Sequence, residues 1–202
     1  MIADLKLKIY GPPILFGLVY ILAFGLYYIL INDYEFLWYV LVLLFFFGLL
    51  ISTIKQTKLS LLAVWGLALW GLLHMAGGGI SVDGGVLYGY QIIPLIDKGG
   101  EFFILKFDQV VHFFGFGVAT LIMWEIIKPR FTGSLGLLTF VVVLTGLGLG
   151  ALNEMVEFLA VLVFASTGVG GYFNTGLDLV FNALGVLVVS LFLYSQTKFK
   201  SK

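Results

Sequence analysis

Phe107-Asp108-Gln109-Val110-Val111-His112-Phe113 opens the part of this chain that decides both its fold and its site. Asn153-Glu154-Met155-Val156-Glu157 and Asp178-Leu179-Val180-Phe181-Asn182-Ala183-Leu184-Gly185 follow the same pattern. In each, carboxyl, imidazole or amide side chains sit in or at the edge of an apolar run long enough to cross a bilayer. An ionisable group at membrane depth costs about 2.5–3.5 kcal/mol or more, so it marks a functional site by default. The apolar runs define the fold, and the polar insertions define the site.

Outward from these stretches, apolar residues make up 61% of the 202 and charged residues only 11%, with mean hydropathy +1.11. Soluble domains lie far from those values. The reading is an all-α polytopic membrane protein, a single transmembrane domain over residues 1–202. A span needs ~20 mostly apolar residues, which gives six, at about 12–31, 35–54, 59–80, 108–127, 134–160 and 177–196. The first run is longer than a signal-peptide core and has no small-residue cleavage pattern, so it reads as a retained span. Pro12-Pro13 suit its opening turn. The fifth run stays apolar as far as Ala165, so its helix either tilts or bends near Gly146-Leu147-Gly148-Leu149-Gly150. Net charge is zero and no basic face exists, which excludes nucleic-acid binding. Cysteine is absent, and with it disulfides, thiolate metal sites and cysteine nucleophiles.

Basic residues orient the spans. With both termini cytoplasmic, Lys6, Lys8, Lys55, Lys58, Lys128, Arg130, Lys198, Lys200 and Lys202 fall inside, and only Lys98 and Lys106 outside. This topology suits a cell (plasma or inner) membrane and sends the polar insertions to the extracytoplasmic side. His74 then lies in the outer third of the third span, Asp108 and His112 in the first turns of the fourth. Asn153, Glu154 and Glu157 lie about 28–35 Å along the fifth at 1.5 Å per residue, and Asp178 and Asn182 begin the sixth. Four spans bring their ionisable groups to one depth. The i,i+4 and i,i+3 spacings put Asp108 with His112, and Glu154 with Glu157, on single helix faces. Gly115 and Gly185, one turn further in, would let neighbouring helices approach.

Four carboxylates cannot all stay ionised in a low-dielectric site without cations. Either some hold their protons or a divalent metal supplies the charge. His74, Asp108, His112, Glu154, Glu157 and Asp178 form an N/O ligand set suited to Zn, Mn or Fe(II), less to Ca. Asn153 and Asn182 are the candidate binding amides, and Asn182, or a carboxylate that does not bind directly, could orient an imidazole from behind. Plainer roles exist for each. Asp108 and Asp178 stand where capping acids belong, His74 could be a hydrogen-bonded helix-end histidine, and the two asparagines could be helix–helix glue. Glu125 reads as structural. Trp38, Tyr39, Tyr88 and Tyr90 read as interface anchors.

His74-Met75-Ala76-Gly77-Gly78-Gly79, Leu87-Tyr88, Pro94 and the 107–116 stretch, with the Asn153–Glu157 and Asp178–Gly185 motifs, resemble the YjdF-like multi-pass inner-membrane family (domain of unknown function 2238). That family is similar to the wider VanZ-like group, which is associated with the cell envelope. The resemblance covers about 74–185 and implies a membrane fold without a settled activity. Residues Gly168-Val169-Gly170-Gly171-Tyr172-Phe173-Asn174-Thr175 depart from it, standing where the family has a longer polar stretch.

The expectation is a divalent-metal site facing the outer leaflet, with metal-assisted hydrolysis or transfer on a lipid-linked or envelope substrate. Glu154 or Glu157 would be the general base. Two rivals use the same residues: a structural or regulatory membrane protein locked by its polar network, and a proton- or cation-coupled transporter. Against the transporter, no acidic pathway continues inward past Glu125.

Overall fold

The computed structural model describes residues 2–99, 102–164 and 170–200. Ala165, the Gly168-Val169 pair of the last connection, and Lys202 lie outside the described residues. Six helices among the described residues are long and apolar enough to span a membrane. They are α1 (Ile2–Leu30), α2 (Tyr34–Thr57), α3 (Leu61–Gly79), α4 (Phe107–Ile127), α5 (Leu135–Val163) and α6 (Tyr172–Lys200).

Polar side chains at the ends of the runs start the helices. Asp33 Oδ1 accepts from Phe36 N at 3.1 Å, Ser60 Oγ from Ala63 N at 3.1 Å and Ser134 Oγ from Leu137 N at 3.2 Å. Each cap satisfies an amide that has no partner within its helix, worth about 1 kcal/mol. Two helices begin earlier than hydropathy places them. α1 carries Pro12 and Pro13 inside it rather than in its opening turn. α6 starts at Tyr172, so Asn174 joins the face of Asp178 and Asn182. α5 runs unbroken through its glycines, and its 29 residues make it about 43 Å long against a hydrocarbon core of ~30 Å.

α4 and α6 pack most closely, α5 lies against both, and α3 and then α1 cover the other side. The α4–α6 contact is backbone to backbone. A Cβ on Gly185 would strike the Phe113 carbonyl oxygen and lie 3.1 Å from Gly117 N. At Gly146 a Cβ would come within 2.9 Å of Thr120 Oγ1 and of Val186, so α5 seats in the groove between α4 and α6. Gly115 makes room for the Trp70 indole of α3 rather than for backbone. Tyr20, Ile21, Tyr28, Phe36, Tyr39, Val40, Met75 and Ala160 form one buried cluster joining α1, α2, α3 and α5. The Tyr28 hydroxyl donates to Met75 O at 2.6 Å, fastening α1 to the end of α3.

Between α3 and α4 the chain folds into two antiparallel hairpins. Strands β1 (Ser81–Val82) and β2 (Gly85–Val86) are joined by Asp83 and Gly84, both at positive φ (49° and 83°). That is the two-residue turn an Asp-Gly pair favours. Strands β3 (Gln91–Asp97) and β4 (Phe103–Lys106) pair Gln91 with Lys106 and Asp97 with Phe103, with an irregular register between Gln91 and Ile96. β4 runs directly into α4, so this hairpin stands over the same end of the bundle as the polar residues.

Candidate metal centre

His112, one turn into α4, is the centre of the site, and it is buried. Its Nε2 lies 3.4 Å from Asp108 Oδ1 and 3.9 Å from Glu157 Oε1. On the other side of the ring, Nδ1 lies 2.9 Å from Asn182 Oδ1 and 3.6 Å from Glu154 Oε1. Asn182 Nδ2 donates to Glu154 Oε1 at 3.1 Å, which turns the amide oxygen toward the imidazole. An amide oxygen only accepts, so the facing Nδ1 carries hydrogen. In the neutral ring the Nε2 lone pair therefore points toward Asp108 and Glu157.

Asp178 joins the group from α6. Asn174 Nδ2 donates to Asp178 Oδ2 at 2.6 Å and to Asp108 Oδ2 at 3.2 Å, while Lys106 Nζ donates to Asn174 Oδ1 at 3.1 Å. Two overlapping sets result, Asp108–His112–Asp178 and His112–Glu154–Glu157, each with ligand atoms within 4.8 Å of one another. Asp178 has 0% of its surface exposed, and its Oδ1 has no hydrogen-bond partner among the described residues. Glu154 Oε2, also buried, has none. Buried carboxylate oxygens are costly unless a proton or cation meets them.

The structure thus gathers Asp108, His112, Glu154, Glu157, Asp178 and Asn182 around one imidazole. Asn153 stands behind Glu157, donating to its Oε1 at 2.8 Å. His74 belongs to neither set of ligand atoms: the Tyr88 hydroxyl meets its Nδ1 and also donates to its carbonyl oxygen at 2.9 Å. Tyr88 is carried over α3 by a short 3-10 turn (Leu87–Gly89) and stacked on Phe36. Burial, and then the Asp108 carboxylate, hold its hydroxyl well above the ordinary phenol range. Capping does not account for the two aspartates. Lys106 is the N-cap of α4, with Gln109 Oε1 accepting from its amide at 3.1 Å, and Asp178 lies more than a turn inside α6. Glu125 is structural, accepting from Ser60 N at 2.7 Å where α3 begins.

Hydropathy passes over three polar participants. Asn174 bridges the two aspartates, Tyr88 engages His74, and Gln109 is fully buried with its Nε2 donating to Phe103 O at 2.8 Å. For Asn174 the signal exists in the sequence: Asn174, Asp178 and Asn182 recur every four residues. A cleft of about 550 Å³ leads down to the centre from the hairpin end, lined among others by Tyr88, Tyr90, Gln91, Lys106, Asp108 and Asn174.

Fold and site together define a multi-pass membrane protein with a histidine–carboxylate cluster buried at one end of its helices. The chain belongs to the family described as "Predicted membrane protein (DUF2238)", whose model matches residues 12–199. No curated protein and no solved structure matches it.

Proposed function

We propose that this protein binds one divalent transition metal, Zn, Mn or Fe(II), on the Nε2 side of His112, with Asp108 and Asp178 as carboxylate ligands. The observation that carries this reading is the Glu154–Asn182–His112 chain, which fixes the imidazole with its Nε2 lone pair toward Asp108 and Glu157. Oriented imidazoles of this kind are the rule around protein-bound metals. The partnerless Asp178 Oδ1 supplies a second argument, because a metal would satisfy it. Without a histidine-rich set or thiolates the site is oxygen-rich, a composition that suits reactive more than purely structural metals.

The chemistry such a centre supports best is hydrolysis or group transfer. A metal there supplies Lewis acidity and an activated water. Glu157 faces Nε2 from α5 and is steadied by Asn153; it takes the proton of the attacking water and returns it to the leaving oxygen. Glu154 holds Asn182 and through it the ring, and is a positioning residue. Lys106, at the wall of the cleft, offers a cation to an anionic group entering from above. The excess of basic residues at the opposite end of the spans favours an extracytoplasmic cleft in a cell membrane, and hence a lipid-linked or envelope substrate.

Glu157→Gln separates binding from chemistry. Metal retained near one equivalent, with turnover of lipid-linked phosphates or esters reduced at least 100-fold, is expected; full turnover would remove Glu157 as the base. A second reading, a polar network that only locks the bundle, is favoured by the hydrogen bonds tying α4, α5 and α6 together. Under that reading Glu157→Gln lowers thermal stability and no turnover is found in the wild type.

A further inference from the structure

We propose that the β3–β4 hairpin lies in the headgroup region of the bilayer, so that the cleft beside it opens at lipid level rather than into bulk water. Every residue of β3 is exposed, including Ile92, Ile93, Leu95 and Ile96, which are 40% to 62% exposed. Ile92, Ile93 and Leu95 lie in the irregular stretch of the pairing, between the Gln91–Lys106 and Ile96–Ile104 pairs. Phe103 of β4 is buried and the rest of β4 half-buried, whereas these four β3 side chains keep apolar surface that water would not favour.

The occupant is argued from continuity and from charge. β4 ends at Lys106 and the α4 span begins at the next residue, so the hairpin is anchored at the membrane boundary itself. Phe102 beside its tip packs edge-on against Phe173 at 5.7 Å, in the first turn of α6. The body is wholly apolar, while Asp97, Lys98 and Gly99 form a polar tip closed by Gly99 N donating to Asp97 Oδ1 at 2.8 Å. Apolar sides with polar ends fit an interface. The depth is limited from below as well, because open strand edges do not occur in the hydrocarbon region, and both strands of a two-stranded sheet are edges. Pro94, which has no amide hydrogen, leaves one less donor unpaired there. Gln91 and Lys106, paired at the hairpin's base, are also cleft walls. Fixing the hairpin at headgroup depth therefore fixes the mouth of the cleft there, whether or not a metal is bound.

The absence of cysteine makes the test direct. Single-cysteine variants Ile93→Cys and Leu95→Cys are spin-labelled and reconstituted in phosphatidylcholine/phosphatidylglycerol vesicles. Leu191→Cys on the exposed side of α6 is the hydrocarbon reference, and Lys200→Cys the aqueous one. Electron paramagnetic resonance then compares collision with oxygen and with a water-soluble nickel chelate. The expected result is that both hairpin labels collide more with oxygen than with nickel, at depths between the two references. Nickel access equal to that of the Lys200→Cys label would overturn the proposal by placing the hairpin in water. Spin–spin broadening at Ile93→Cys that vanishes on dilution with unlabelled protein would overturn it too, showing a second copy on the strand.

Discussion

At the residue scale, the centre depends on which way one ring faces. Asn182 sets that direction because its amide can satisfy Glu154 and His112 together only in one orientation. Asn182→Ala leaves the Glu154 and His112 groups in place but frees the ring to turn. Loss of such supports typically lowers metal affinity 10- to 100-fold. A metal titration by calorimetry should show that weakening with the stoichiometry unchanged; unaltered affinity would mean the ring is held by packing alone, against Phe116 for example. Much of this site was legible in the sequence. Carboxylates and a histidine inside apolar runs are expensive enough to draw attention one by one. Asn174, Gln109 and Tyr88 were harder, because amides and phenols carry no charge penalty and are common at helix ends. The i,i+4 pairing with Asp108 already set His112 apart from His74, and the folded geometry adds that Tyr88 meets the His74 Nδ1 while the His112 ring faces the carboxylates.

At the element scale, the site exists because α4, α5 and α6 come together without side-chain bulk between them. Gly185 is the sharpest test, since a methyl there meets α4 backbone, which cannot rotate away. Gly185→Ala should destabilise the detergent-solubilised protein by about 1–3 kcal/mol, the usual cost of overpacking. A methyl on Gly148 would meet nothing within 4 Å, so Gly148→Ala should be neutral or gain up to about 1 kcal/mol from helix propensity. Thermal melting of both variants checks the pair; equal shifts would show that the α4–α6 crossing is looser than the Gly185–Phe113 contact requires. Hydropathy finds six spans because length and apolarity are all a span requires. It misplaces ends, as in α1 and α6, because capping and fraying are local hydrogen-bond matters. The hairpins escaped for a different reason. The Asp83-Gly84 turn is a recognisable signal, but its flanking strands are two residues each, too short for periodicity to register.

At the scale of the whole molecule, the centre and both hairpins share one end of the bundle, and the basic residues crowd toward the other. The proposed extracytoplasmic cleft requires that basic end to be cytoplasmic, as the positive-inside rule favours. With the cysteine-free chain as background, Lys98→Cys at the tip of the β3–β4 hairpin should react with an impermeant maleimide in intact cells. Lys200→Cys should react only after permeabilisation, and the reverse pattern would turn the site to the cytoplasm. The convergence of four spans on one depth follows from topology, so the sequence carries it. Which of the polar groups touch does not follow, because that depends on helix rotation and on close approach at glycine.

The most direct test of the account is the metal content of purified protein, wild type beside His112→Ala and Asp178→Asn. Near-stoichiometric Zn, Mn or Fe in the wild type, lost in His112→Ala and reduced in Asp178→Asn, is the predicted result. No metal in the wild type, after reconstitution with each ion, would contradict it and leave the buried carboxyls to be met by protons.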